Sequence, residues 1–360
     1  MPEPSAESPI RSIAIVGAAG ACGRQLCVQL LHNRVIDADA RLQLVAHAGG
    51  ASASAVHGLR SDLVDAFADF APRIELVDEV EAIDTDVVVM LAGMTVPTDP
   101  TKSLDRRVLA AHNHALFAEY ADGLARRVEP PVVVVQSNPV ELGVKVFADA
   151  LGRHRVLGAG AYSDTLRFRR EVAESFGVSR ARVRAPMLGQ HGDHLVPQWS
   201  AVAIDGIDDE VVSEWIATQR RGRTLAVLPA EIVELRGRMM RLVSEGAVAE
   251  AFTAIADEPA DLRAAVKPFL VHCTTGHTTE IITAHAVEEL VVAIAFPDDA
   301  PRAAQVVLDG ELGLSGVIGM PVRITHEGWT QVVDPVLAPD ELDALRAATA
   351  VIDEMVASVC

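Results

Sequence analysis

Cysteine is scarce: only Cys22, Cys27, Cys273 and Cys360 occur in 360 residues, with no CxxC pair and no Cys/His grouping at metal-ligand spacing. A disulfide-stapled small fold is excluded, no metal is expected, and reduced thiols in a cytoplasmic setting are the natural reading. Long apolar runs are missing as well, since no continuous stretch approaches the ~20 residues of a membrane span. The opening MPEPSAESPIRS has no basic-then-apolar leader and reads as a flexible tail over residues 1–10. Excess positive charge is also lacking: 31 Lys plus Arg stand against 50 Asp plus Glu, a formal net charge of −19. Such a chain repels phosphate backbones and anionic lipid, and the runs Arg167 to Arg170 and Arg220 to Arg223 are too short to reverse that. The expected partner is a small molecule, neither nucleic acid nor membrane.

What is present is a folded interior. Hydrophobic residues make up 50% of the chain and charged ones 22%, and 360 residues exceed what one ordinary core needs, so two domains are expected. Nearly solid apolar runs at Ile13 to Val16, Leu42 to Val45, Val87 to Leu91 and Val132 to Val135 suit strands covered on both faces. Helical stretches such as Gly20 to Leu31 and Leu104 to Leu124 separate them, which predicts an α/β fold with a doubly wound parallel sheet over residues 11–160. Residues 161–360 read as a mixed α+β domain. Helices are expected over Arg167 to Phe176, Ile232 to Ala254, Thr279 to Ile294 and Asp340 to Val359, with a β-like Val183 to Leu188. Val317 to Ile324 and Gln331 to Val333 read as an antiparallel pair, while Ala256 to Asp261 and Phe296 to Arg302 read as loops.

Directly after the first strand stands Gly17-Ala-Ala-Gly20-Ala-Cys-Gly23, leading into a helix. Glycine there lets backbone approach a pyrophosphate, and the helix offers free N–H groups and the positive end of its dipole. A dinucleotide site is therefore expected. The second strand ends Leu44-Val45-Ala46-His47 without the acid that would bond the ribose hydroxyls of NAD. Nothing there repels a 2′-phosphate, and Ser52 and Ser54 offer hydroxyls, which tilts the choice of NAD or NADP towards NADP. The only cations at hand are Arg41, His47 and Arg60, and an NAD site built from backbone contacts is the alternative.

In the second half, Asp164 and Arg167 lie three apart on one helical face, and His191 sits in Gly-Gln-His-Gly-Asp-His. Singly, these are a surface ion pair and a loop histidine. Together they supply an acid to hold an imidazole, an arginine to fork a carboxylate and a histidine to move a proton.

The chain resembles the lactate/malate dehydrogenase family almost end to end. The resemblance is carried by the glycine loop, Gln136-Ser137-Asn138-Pro139, Ser163 to Arg169, and Gly189-Gln-His-Gly-Asp193 followed by Val196-Pro-Gln-Trp-Ser200; Leu308 to Val322 also looks like the family's C-terminal strands. The resemblance implies a Rossmann-type first domain and a catalytic second domain in a homodimer or homotetramer. It further implies an enzyme transferring hydride between NAD or NADP and a small 2-hydroxy acid, malate or a malate-like dicarboxylate first of all. His191 would take the hydroxyl proton, Asp164 would hold its imidazole, Arg167 would grip the substrate carboxylate, and Asn138 would meet the substrate oxygen or help seat the nicotinamide. Arg106 would polarise the carbonyl from a closing segment, Met94 to Arg106. The cofactor cradle so implied comprises Gly17, Gly20, Ala21, Cys22, Gly23, His47, Ala92, Asn113, Ser137 and Asn138.

This sequence departs from the family pattern in places. The closing segment lacks the early arginine that malate enzymes use for the distal carboxylate, leaving Lys102 as a substitute point charge or a pocket for another side chain. Gln190 replaces a glutamate before the histidine, and His194 stands where a small hydroxyl residue is usual. The stretch Ala256 to His277 looks longer than the family's, and His272 and His277 read as ordinary loop histidines. A lactate-like or otherwise substituted 2-hydroxyacid dehydrogenase is the runner-up, and a catalytically silent dinucleotide-binding paralogue stays open. The NAD-dependent glycosidases of this fold would need a metal-binding Cys/His arrangement that the sequence does not offer.

Overall fold

The structure, a computed structural model, describes residues 10–47, 49–50, 52–95, 106–275, 279–333 and 335–359. The first half contributes β1 (Ser12–Val16), α1 (Ala21–His32), β2 (Arg41–Val45), α2 (Ala55–Phe67), β3 (Arg73–Val77) and β4 (Val87–Met90). It continues with α3 (Arg106–Ala125), β5 (Val132–Val135), α4 (Val140–Leu151) and β6 (Val156–Gly158). These strands are parallel in the order β3-β2-β1-β4-β5-β6, the Rossmann arrangement. The valine-rich β4 and β5 are buried at every position, as strands with both faces covered must be.

Beyond these lie α5 (Gly160–Phe176), β7 (Val183–Arg184), β8 (Met187–Gly189), β9 (Leu195–Pro197), β10 (Ala203–Ile204), α6 (Asp209–Arg220) and α7 (Leu228–Ser244). The chain closes with α8 (Val248–Ala256), α9 (Ala260–Thr275), α10 (Glu280–Ala295), β11 (Arg302–Asp309), β12 (Ser315–Thr325), β13 (Gly328–Val332) and α11 (Pro339–Ala357). The parallel sheet does not stop at β6. It runs on antiparallel through β11, β12, β8 and β9, with β13 on β12, into one sheet of eleven strands among the described residues, while β7 and β10 pair separately.

Several expected boundaries move. The segment read as one helix over Ile232 to Ala254 breaks into α7 and α8 around Gly246. The expected loop at Ala256 to Asp261 already contains the start of α9, so His272 is helical. Val183 to Leu188 divides between β7 and β8, which belong to different sheets, with Pro186 between them. α5 starts seven residues before Arg167, which brings Asp164 inside it. Among the described residues no helix is long and apolar enough to cross a membrane. No three side chains of metal-ligating type cluster there either.

Candidate active site

The carboxyl edge of the parallel strands is stitched by backbone hydrogen bonds. Gly17 N–H donates to the carbonyl of Val45 at 3.0 Å, Leu91 N–H to Val16 at 2.9 Å and Ala159 N–H to Val135 at 2.9 Å. This draws the turns after β1, β4, β5 and β6 together. Gly17 has φ +85°, and a Cβ there would lie 2.8 Å from the nitrogen of Ala92; at Gly23 it would lie 2.4 Å from the carbonyl oxygen of Gly17. Both contacts are with backbone, so only bare glycines let the turn and α1 pack this closely.

α1 opens after Gly20 with no side chain among the described residues capping its first turn, leaving N–H groups and the dipole's positive end for an anion. Cys22, in that turn, is half-buried. Burial, and then the charge of Glu280, pushes its thiol up to about 12, so it stays neutral in that turn. A glycine cradle that any Cβ would fill, an uncapped helix start and a neutral first turn together fit a dinucleotide.

Ser137 and Asn113 hold the edge itself. Ser137 Oγ donates to the carbonyl of Ala92 at 2.6 Å. Asn113 is fully buried: its Oδ1 accepts from Met94 N–H at 2.7 Å, and its Nδ2 donates to the carbonyls of Met94 (3.0 Å) and Asn138 (2.6 Å). Its amide thereby ties the turn after β4 to the turn after β5, at the edge where the sequence reading places the cofactor. Asn138 is exposed at that edge, ahead of a cis peptide to Pro139.

Two cations weighed for a 2′-phosphate are committed elsewhere. Arg41 opens β2 at the opposite edge and bonds the carbonyl of Asp84 at 2.7 Å, and Arg60 Nε donates to the carbonyl of Ile74 at 2.9 Å. His47 stands at the right edge, where its Nε2 lies 3.4 Å from Oε1 of Glu119 on α3. That carboxylate is 72 residues away in sequence, and the expectation of no acid near the end of β2 did not foresee it.

The catalytic candidates converge where α5 meets the β8–β9 hairpin. His191 Nδ1 lies 2.7 Å from Oδ2 of Asp164, and Arg167 donates to Oδ1 of the same carboxylate at 2.9 Å. The other arm of Arg167 donates to Thr279 Oγ1 at 2.9 Å. The side chains of Asp164, Arg167 and His191 are 8%, 13% and 19% exposed, so the triad is sheltered yet reachable. Burial opposes ionisation of Asp164, but His191 and Arg167 outweigh it and hold the carboxyl below its ordinary 3.8. Burial likewise opposes the imidazolium, and Asp164, helped by Glu141, outweighs it and raises His191 above its ordinary 6.5.

Sequence reading missed the groups that hold the histidine. Glu141, buried in the first turn of α4, accepts His191's backbone N–H at 2.6 Å. Arg236 of α7 pairs with Asp193 two residues on, its guanidinium 4.8 Å over the ring of Phe269. The far end of the hairpin is pinned by buried Glu341, which accepts from Ser200 N–H (2.9 Å) and Oγ (2.6 Å) while capping α11 through Ala338 N–H. A glutamate directly after Asn-Pro-Val was a usable signal for the first of these; the others depend on contacts far apart in sequence. Lys102, His277 and residues 96–105 of the closing segment lie outside the described residues. Arg106 is described only as the first residue of α3.

Comparison with known proteins gives a consistent picture. Residues 11–158 match the family model described as lactate/malate dehydrogenase, NAD binding domain, and residues 163–225 match lactate/malate dehydrogenase, alpha/beta C-terminal domain. A malate dehydrogenase of Halobacterium salinarum is 29% identical over 346 residues, spanning 93% of this chain and 95% of its own length. An L-2-hydroxycarboxylate dehydrogenase (NAD(P)(+)) of Methanocaldococcus jannaschii is 27% identical over 351 residues, 94% of this chain and 96% of its own. The crystal structure of lactate dehydrogenase from Cryptosporidium parvum superposes with a TM-score of 0.75 at 20% identity, covering 97% of this chain and 98% of that one.

Proposed function

The chain belongs to the lactate/malate dehydrogenase family, and from that premise we propose that it interconverts a small 2-hydroxy acid and its 2-keto acid, with malate and oxaloacetate the first pair to test. The observation that carries this reading is the 2.7 Å bond from His191 to Asp164, with Arg167 on the carboxylate's other oxygen. With Nδ1 engaged, Nε2 is the nitrogen that takes the hydroxyl proton, and Asp164 balances the imidazolium that results. Arg167 retains N–H groups beyond those given to Asp164 and Thr279, and these receive the substrate carboxylate. Arg106 polarises the carbonyl and Asn138 orients the substrate oxygen. A bound nicotinamide supplies the two-electron acceptor for the substrate's hydride. Residues 11–160 serve the dinucleotide and 161–360 the substrate; a cytoplasmic homodimer or homotetramer belongs to the same reading.

A lactate-like substrate is the second reading, favoured by the lack of an early arginine between Met94 and Arg106. Oxidation of NADH and of NADPH, followed by absorbance against a panel led by oxaloacetate and pyruvate, decides between them. Turnover of oxaloacetate well above pyruvate supports the first reading, the reverse supports the second, and silence on the whole panel with cofactor bound removes both.

On the cofactor, the geometry supports NAD. Glu119 brings a carboxylate to the end of β2, beside the strand end that binds the glycine turn, where it favours ribose hydroxyls and repels a 2′-phosphate. Glu119→Gln is therefore expected to raise the NADPH-to-NADH ratio of kcat/KM about tenfold, the effect of ~1.4 kcal/mol. An unchanged ratio would remove Glu119 from cofactor selection.

A further inference from the structure

A line of registered positions crosses the sheet at the junction of its two halves. Gly158 on β6 pairs with Gln305 on β11, Gln305 with Gly319 on β12, and Gly319 with Gly189 on β8. Three are glycines, and the fourth is a fully buried glutamine in the otherwise apolar run Ala303-Ala304-Gln305-Val306-Val307. A buried amide is costly without partners, so its placement demands a reason.

Its oxygen has a clear one. Oε1 accepts the N–H of Ala161 at 3.0 Å, in the first turn of α5, a helix with no side-chain cap of its own. Gln305 is thus a cap supplied from another strand, and the bond fixes which end of the amide faces the helix. Nε2 has no hydrogen-bond partner among the described residues. A Cβ on Gly160 would lie 3.1 Å from that nitrogen and 2.7 Å from both Cβ and Cγ of His191. Amide and imidazole therefore share the space over one bare piece of backbone. The glycine row makes the docking possible: a Cβ on Gly158 would lie 2.7 Å from the Cβ of Gln305, and one on Gly319 would lie 2.9 Å from the Cβ of Ala161.

We propose that Gln305 is a positioning residue for the Asp164–His191 pair, holding the first turn of α5 so that Asp164, one turn further on, meets the imidazole, while its free N–H edge lines the base of that ring. The role rests on the dehydrogenase reading only in that this pair moves the substrate proton. Asp164, Glu141 and Arg167 are the charged groups acting on the imidazole, and Gln305 adds a neutral dipole to them.

Two variants of the full chain separate the parts. Gln305→Glu keeps an acceptor for Ala161 at the positive end of α5 and adds a negative charge beside the ring; Gln305→Met keeps the length and loses the cap. The imidazole resonances of His191, identified by their loss in His191→Asn, are titrated by NMR beside the pH profile of kcat/KM. The His191 midpoint is expected to rise by about half a pH unit or more in Gln305→Glu and to fall in Gln305→Met, with kcat of the latter down about tenfold and the KM for cofactor unchanged. Should Gln305→Glu not fold, Gln305→Asn, which withdraws the amide from Ala161, takes its place and must lower the midpoint. A His191 titration unmoved in the folded variants overturns the proposal even if the wild type is an active dehydrogenase. A moved titration in a wild type silent on every keto acid would instead sink the dehydrogenase reading and leave the placement of Gln305 standing.

Discussion

His191→Asn is expected to lower kcat by about 10³- to 10⁴-fold while NADH binding, read by nucleotide fluorescence, stays as in the wild type. Asparagine is close in size to the ring's inner half and offers an N–H towards Asp164, so the carboxylate keeps a donor as well as Arg167. What disappears is the group proposed to carry the proton. Turnover within a hundredfold of wild type would remove His191 from that role. The pH behaviour carries a second signature. Because His191 is raised above 6.5 by its partner, reduction of the keto acid, which on the proposed mechanism needs the protonated ring, is expected to persist above that pH and to fail as pH rises through the raised value. Stability follows the same linkage with opposite signs for the two partners. The contribution of Asp164 is complete above its ordinary 3.8 and lost as pH falls through its lowered value; that of His191 is complete below 6.5 and lost as pH rises through its raised one. The pair contributes in full between those limits, and His191→Asn should abolish the alkaline loss while leaving the acid one.

Arg167→Lys is expected to cost about 10³-fold in kcat/KM for the keto acid, consistent with the 2–5 kcal/mol typical of losing one partner of a desolvated charge pair. Arg167 reaches Asp164 with one arm and Thr279 with the other, and its planar fork has N–H groups left for a carboxylate. An ammonium is a point charge, so it must abandon at least one of these partners. The loss should appear in both kcat and KM for the keto acid, with cofactor affinity unmoved, because the arginine bonds Asp164 and is proposed to anchor the substrate as well. A lysine variant within tenfold of wild type would mean the carboxylate binds elsewhere.

Much of this was legible from residues alone. The apolar runs of β1, β2, β4 and β5 and the glycine turn after β1 declare the parallel sheet, because strands covered on both faces have no solvent side to alternate towards. Asp164 and Arg167 were readable as neighbours because helical periodicity alone brings residues three apart together. Contacts between distant segments were not readable. Glu119 reaches His47 across 72 residues, Glu141 supports His191 across 50, and Gln305 caps α5 across 144. The short β6 was missed because three residues carry no period, and β11 because a glutamine interrupts its apolar pattern. That interruption is itself the signal, since an amide placed inside a strand must answer to a neighbour. The tilt towards NADP rested on the absence of an acid at the end of β2 in sequence, and a carboxylate supplied from α3, Glu119 beside His47, is invisible to that local reading.

The continuation of the parallel strands into β11 also bears on how such a molecule can be taken apart. Severing it near residue 160 would leave β6 and β11 as bare margins, each presenting unpaired N–H and C=O groups to whatever strand came by, with the Gln305 amide stranded between them. A different nucleotide-binding half would have to keep a glycine at the Gly158 position, because a Cβ there would lie 2.7 Å from the Cβ of Gln305.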